Sequence, residues 1–401
     1  MKKGYTPAVG SKSRHLRSGY TSGACAAAAA KGATLLLLSG AARTSAATAA
    51  RGPAREDRGG AVEVPFPDGS RHAFTIERAW HEEAGGAACA SVIKDAGDDP
   101  DVTHGVEIIA RVIFRDTARG GAAPGEEELS RVVIKGGEGV GVVTRPGLPL
   151  AIGEAAINPG PRAMVREAVM EALTSVPVPF HNPPAGIEVT ISVPRGTSLA
   201  GKTLNSRLGI VGGISILGTS GIVRPLSSEA WTATIAASMS VARAMGRKEI
   251  VLSAGRSSER AHMARYAFPE EAYVMMGDYV EYALLETKKH GFDRVHLCAQ
   301  WAKMLKIAMA TPQTHVRHGV IDVARAAAFL GDLGFPELKG REFTTAREMF
   351  ELIAAASGSA RRPVFSHVCA AAKDFAESIT RGVPVSVYLV SYEKEVMAQH
   401  G

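Results

Sequence analysis

The sequence predicts an α/β and α+β protein: an N-terminal α+β domain over residues 1–195 and a C-terminal Rossmann-like parallel-sheet α/β domain over residues 196–401. Three observations carry that reading. The chain has 401 residues, too many for one compact core. Between Ile214 and Ala310, short apolar runs alternate four times with helical patterns, the order of a parallel sheet covered on both faces. Before residue 195, strand-like runs are joined by turns and by one long glycine- and proline-rich loop.

The chain opens with basic residues, Lys2, Lys3, Lys12, Arg14 and Arg17, ahead of the run ACAAAAAKGATLLLL. Lys31 interrupts that run, alanine dominates it, and it is too short to span a bilayer. A buried alanine-rich helix and a cytoplasmic protein are expected. Thr21 or Ser22 can cap this helix, which makes its start either an ordinary N-cap or an anion-binding terminus. Residues Gly40 to Gly60 have the composition of a surface connection. Ala61–Pro65 and Arg71–Ile76 read as a hairpin across Pro67-Asp68-Gly69. Ala88–Ile93 is a further strand, and it opens onto KDAGDDPDVTHG, which gathers Lys94, Asp95, Asp98, Asp99, Asp101 and His104 in one loop. The spacing does not match a calcium loop. The segment is either a solvated turn or a polar site in which Asp95 and His104 accept a proton or orient a polar substrate.

Val106–Phe114 and Arg131–Lys135 continue the strands. The stretch Gly136 to Val165 is too long for a simple connection and brings Arg145 and Arg162, side chains suited to carboxylates. A helix to about Leu173 and a strand over Gly186–Val193 complete the first half.

The stretch LGIVGGISILGTSGIVRP, Leu208 to Pro225, is read as the first strand, glycine loop and helix start of the second half. In that order of elements Gly213, Gly218, Thr219, Ser220 and Gly221 either allow a tight turn or hold a charged or nucleotide-like ligand. Glu249–Ala254, Ala272–Met276 and Arg294–Ala299 are the next strands. Gly255, Gly277 and Asp278 stand at their carboxyl ends, where ligands of open parallel sheets lie. Asp278 is either a helix cap or an acceptor for ribose hydroxyls. Thr311–Asp322 carries His315 and Arg317 in a loop, and Val385–Val390 is a closing strand.

Lys plus Arg number 46 against 40 Asp plus Glu, a formal charge of +6 spread along the chain. No basic block appears, so nucleic acid is not expected as a partner, whereas an acidic small molecule is compatible with the charge. Cys25, Cys89, Cys298 and Cys369 lie far apart with no CxxC pair, as buried thiols in a reducing compartment would, and no metal site is expected.

The motifs RSGYTSGACAAAAAKGA (Arg17 to Ala33), VIKDAGDDPDVTHG (Val92 to Gly105), GGEGVGVVTRPGLPLAIGEAAINPGPR (Gly136 to Arg162) and GGISILGTSGIVRPLS (Gly212 to Ser227) stand in that order. With them the chain resembles the cobalt-precorrin-5B C1-methyltransferases of anaerobic cobalamin biosynthesis. The resemblance runs from about Arg17 to about Tyr392. Between Gln300 and Arg317 it departs from the family's pattern: the loop QWAKMLK lacks a glycine, while Thr314, His315 and Arg317 of a THxR-like element remain.

The resemblance implies methyl transfer from S-adenosylmethionine to C1 of a corrinoid whose cobalt arrives within the substrate. It implies that the strand-tip residues hold the donor, and that Thr21, Ser22, Lys94, Arg145, Arg162, His315 and Arg317 meet the substrate, with Asp95 or His104 removing a proton from the macrocycle. A non-catalytic corrinoid carrier of the same pathway is the rival reading. No membrane partner is expected, and a homo-oligomer stays open.

Overall fold

The computed structural model describes residues 16–46, 60–82, 86–115, 132–175, 186–225, 227–314, 321–356 and 361–401. Their contacts divide the chain into two compact units. The first comprises Met1–Thr144, Pro149–Ser206 and Ile210–Ser227, and the second Arg145–Leu148, Arg207–Gly209 and Ser228–Gly401.

In the first unit, β1 (Gly19–Tyr20) leads into α1 (Ser22–Ala46). The hairpin β2 (Ala61–Pro65) and β3 (Arg71–Thr75) follows, with Asp68 accepting from the Ser70 N–H at the turn. Then come β4 (Arg78–His81), β5 (Ala87–Ile93), β6 (Glu107–Arg115), β7 (Val132–Gly136), β8 (Val142–Val143), α2 (Pro159–Ser175), β9 (Gly186–Ser192), α3 (Gly196–Ala200), β10 (Ile210–Val211) and β11 (Ile222–Val223). The main sheet has the order β4-β5-β6-β9-β7 and is antiparallel except for the pair β7 and β9. Alanines 24 and 26–30 of α1 are fully buried. Their small side chains let the helix lie close against the sheet, in one core with Val92, Ile108, Val165 and Val169. By length and composition Ser22–Gly40 would suffice to cross a membrane, but 72% of that window is buried in the structure.

The second unit begins with α4 (Ser228–Ala244). β12 (Glu249–Ser253), α5 (Arg256–Arg265), β13 (Tyr273–Met275), α6 (Val280–Lys289), β14 (Arg294–Gln300) and α7 (Trp301–Ala308) alternate after it. Gly291, at φ +68°, ends the turn after α6 in the left-handed conformation that glycine tolerates. α8 (Val323–Asp332), α9 (Ala346–Ala355), α10 (Arg361–Thr380), β15 (Val385–Val390) and β16 (Val396–His400) close the unit. The sheet order is β13-β12-β14-β15-β16, parallel throughout except for β16. One face carries Ile250, Leu252, Val274 and Leu297 against the large helical layer. The other carries Val251, Tyr273, Cys298 and Tyr388 against Ala261 of α5.

One expected strand is placed elsewhere. Ile214–Leu217 does not join this sheet: Ile214 and Ile216 bridge to Val140 and Ile157 inside the first unit. Four residues of apolar chain satisfy any neighbouring backbone, and the glycines on either side let this run settle against a loop.

Candidate functional site

In the second unit the chain runs from β12 out to β13, then returns past β12 to β14, so the strand order reverses at β12. At such a reversal the loops leave in opposite directions and open a crevice at the carboxyl ends. The register pairs Ser253 with Met275 on one side and with Cys298 on the other, which brings the three tips level. Past β12, Gly255 caps α5 without a side-chain hydrogen bond, and a Cβ there would meet nothing within 4 Å. Past β13, Gly277 takes φ +60°, and the six-membered ring of Trp231 lies 3.8 Å from where its Cβ would stand.

Lys303, in the first turn of α7, ties these tips together. Its Nζ donates to the Ala254 carbonyl at 2.8 Å and lies 2.9 Å from Asp278 Oδ1. Thr314 Oγ1 donates to the same carboxylate oxygen at 2.6 Å, and the Thr314 N–H to the Asp278 carbonyl at 3.1 Å. Lys306 Nζ in turn donates to the Thr314 carbonyl at 2.8 Å, and burial pushes this ammonium's pKa down. Asp278 is therefore neither a helix cap nor an isolated charge. It is an ion-paired carboxylate with 21% of its side chain exposed.

Below the tips, Ser253 Oγ donates to Glu259 Oε2 at 3.0 Å. Arg207 clamps that buried carboxylate with two bonds of 2.6 and 2.8 Å. Arg145 belongs to the same arrangement, donating from Nη1 to the Arg207 carbonyl at 3.1 Å.

The first unit holds the other predicted residues. Thr21 caps α1 by accepting from the Ala24 N–H at 3.2 Å, and the Gly23 N–H donates to the Leu217 carbonyl at 3.1 Å. Ser22 Oγ accepts from the Leu217 N–H at 2.9 Å. The helix start is thus engaged by residues 217–221 rather than open to an anion. The same contacts explain the glycines: a Cβ on Gly218 would lie 2.3 Å from Thr21 Cβ, one on Gly221 2.5 Å from Phe66, and one on Gly213 2.2 Å from the Gly139 carbonyl oxygen. Thr219 and Ser220 are exposed on that loop.

Arg17, which the motif reading passed over, donates to both carboxylate oxygens of Asp95, at 2.5 and 2.9 Å. That pairing, with the Gly97 N–H, holds the Asp95 carboxyl down at about 2, so it is a weak proton acceptor. His104 Nδ1 accepts from the Ala96 N–H at 3.1 Å. With Nδ1 accepting, Nε2 is the ring nitrogen that can donate. Lys94 is buried, with Nζ 2.6 Å from Asp101. Burial raises the Asp101 carboxyl, but Lys94 and Thr103 outweigh it and leave the group below its ordinary value.

Arg162 departs furthest from expectation. Its guanidinium donates to the carbonyls of Ile157, Ile134 and Ala155, and burial lowers its pKa. It braces the long loop instead of facing a carboxylate. His315 and Arg317 lie outside the described residues. The four cysteines are buried and unpaired, and burial pushes the Cys25 and Cys369 thiols up to about 12, which leaves them unreactive at neutral pH. Among the described residues no group of three His, Cys, Asp or Glu side chains is placed to hold a metal ion.

Comparison with known proteins places the chain. The CbiD family model matches residues 9–225, and that of the CbiD C-terminal domain matches residues 313–401. The chain belongs to the CbiD family. Among its relatives, the cobalt-precorrin-5B C(1)-methyltransferase of Desulfotalea psychrophila is 46% identical over 96% of this chain and 98% of its own length. The enzyme of the same name from Geobacter metallireducens is 42% identical over 96% of this chain and 99% of its own. A solved cobalamin biosynthesis protein, CbiD from Archaeoglobus fulgidus, is 27% identical over 73% of this chain and 79% of its own, with a TM-score of 0.36. Lys303 and Arg17 are candidate site residues that the sequence alone did not single out. Lys303 lies in the stretch that departs from the family's pattern, Arg17 opens the first motif without that motif naming its partner, and the role of each appears only in the bonds it makes within its own unit.

Proposed function

We propose that this chain transfers a methyl group from S-adenosylmethionine to C1 of cobalt-precorrin-5B, giving cobalt-precorrin-6A in anaerobic cobalamin biosynthesis. The observation that carries the reading is the methyltransferase activity named for relatives 42–46% identical over 96% of the chain. The second unit is the Rossmann-like part, and its strand tips are the donor's place.

The tips fit a nucleoside. The open space beside Gly255 admits a ligand against the backbone, and the amides opening α5 add partial positive charge. The partly exposed Asp278 offers an acceptor for ribose hydroxyls. Bound there, the donor supplies an electrophilic methyl on its sulfonium. Lys303 keeps Asp278 and the β12 tip at a set distance, which limits the ways the ribose can lie.

In the first unit, the exposed Arg17 guanidinium and the His104 Nε2–H suit the carboxylate arms of the corrinoid. Asp95 serves by holding Arg17, and its low basicity argues against proton removal. Lys94 is spent on Asp101. The substrate brings its own cobalt, and the protein works in the cytoplasm. The test is ligand binding: S-adenosylhomocysteine raises the melting temperature, and Asp278→Ala weakens its binding about tenfold, the scale of one charge-assisted hydrogen bond. Absence of any shift at millimolar ligand contradicts the donor site.

A further inference from the structure

The apolar stripe of α4 is buried at its middle and exposed near its start. Ile235 and Met239, one turn apart on the core side, are fully buried. Trp231, one turn before Ile235 on the same stripe, is 40% exposed. The ring lies just past the tip of β13, 3.8 Å from where a Cβ on Gly277 would stand, and Asp278 follows by one residue. Tyr279 neighbours the ring, with centroids 6.5 Å apart and planes inclined by 32°. Tyr279 is itself held by a 3.3 Å hydrogen bond from its hydroxyl to Ser228 Oγ.

The other tryptophans are placed differently. Trp301 is fully buried and donates to the Ala346 carbonyl. Trp80 lies in the first unit beneath the Arg78 guanidinium. Trp231 thus presents a large, partly exposed flat apolar surface near the partly exposed Asp278 carboxylate. A purine nucleoside needs such a pair: an aromatic face for the base and an acceptor for the sugar.

We infer that Trp231 is the platform on which the adenine of the methyl donor stacks. This rests on the donor site proposed above. S-adenosylhomocysteine titrated into the full chain quenches the emission of Trp231, and the quench is absent in Trp231→Phe. By calorimetry Trp231→Ala loses about tenfold in affinity, the scale of one base stacked on an aromatic ring, whereas Trp231→Phe keeps most of it. S-ribosylhomocysteine, which lacks the base, binds wild type and Trp231→Ala equally. Equal affinity of wild type and Trp231→Ala for S-adenosylhomocysteine overturns the assignment of Trp231 and leaves the donor site standing. Failure of the wild-type chain to bind the ligand at all overturns both.

Discussion

His262 is fully buried among the rings of Tyr266, Phe268, Tyr273 and Tyr388, and its Nε2 has no partner among the described residues. Burial, aided by the neighbouring His296, lowers its pKa to about 4. The unfolded chain takes up this proton near the ordinary histidine value of about 6.5. Between those values the unfolded state binds more protons than the folded one, so stability is lost as pH falls from about 6.5 towards 4. The shift corresponds to about 3 kcal/mol at most. His296, also lowered mainly by burial, acts in the same direction. Urea denaturation of wild type at pH 7.5 and pH 4.5 measures the loss, and His262→Phe reduces it while changing stability at pH 7.5 by only about 1 kcal/mol, the value of one hydrogen bond to Tyr273. Equal acid sensitivity of the two chains would show that the buried ring does not set it. At Arg207, truncation to Ala strands the buried Glu259 carboxylate with Ser253 alone among its named partners, and should cost about 3 kcal/mol of stability by the same denaturation.

At the scale of elements, two glycines separate packing from binding. Gly218 has φ +122° and no room for a methyl group, so Gly218→Ala should destabilise the chain by about 2 kcal/mol or more and lower its melting temperature. Gly255 is extended and faces open space, so Gly255→Ala should leave the melting temperature unchanged while reducing the gain from S-adenosylhomocysteine. A stability loss at Gly255 equal to that at Gly218 would remove this contrast. The same pair shows what the sequence makes legible. The runs EIVLS, AYVMM and RVHLCA all supply strands of the expected parallel set, and VSVYLV, expected only as a closing strand, joins it by pairing parallel with β14. ISIL looks like them, but period and composition say nothing about which neighbour an apolar run adopts, and the glycines around it serve close approaches to the Gly139 backbone, Thr21 and Phe66. The loop Lys94 to Gly105 was legible as a polar cluster, and its internal pairing was not. Arg17 lies 78 positions from Asp95, a distance no local pattern reports.

At the scale of the whole molecule, the proposed function needs one ligand on each unit: the donor at the tips near Gly255, Gly277 and Asp278, and the acidic pigment at groups of the first unit such as Arg17 and His104. Neither assignment alone distinguishes an enzyme from a carrier, because a carrier would also bind the pigment. Turnover does. Purified full-length chain is incubated anaerobically with cobalt-precorrin-5B and S-adenosylmethionine labelled at its methyl group, and the pigment is analysed by mass spectrometry. The account predicts one labelled methyl on the pigment, with markedly less in Asp278→Ala at equal protein and subsaturating donor. Pigment that is bound but unlabelled, or full labelling by Asp278→Ala, would contradict it.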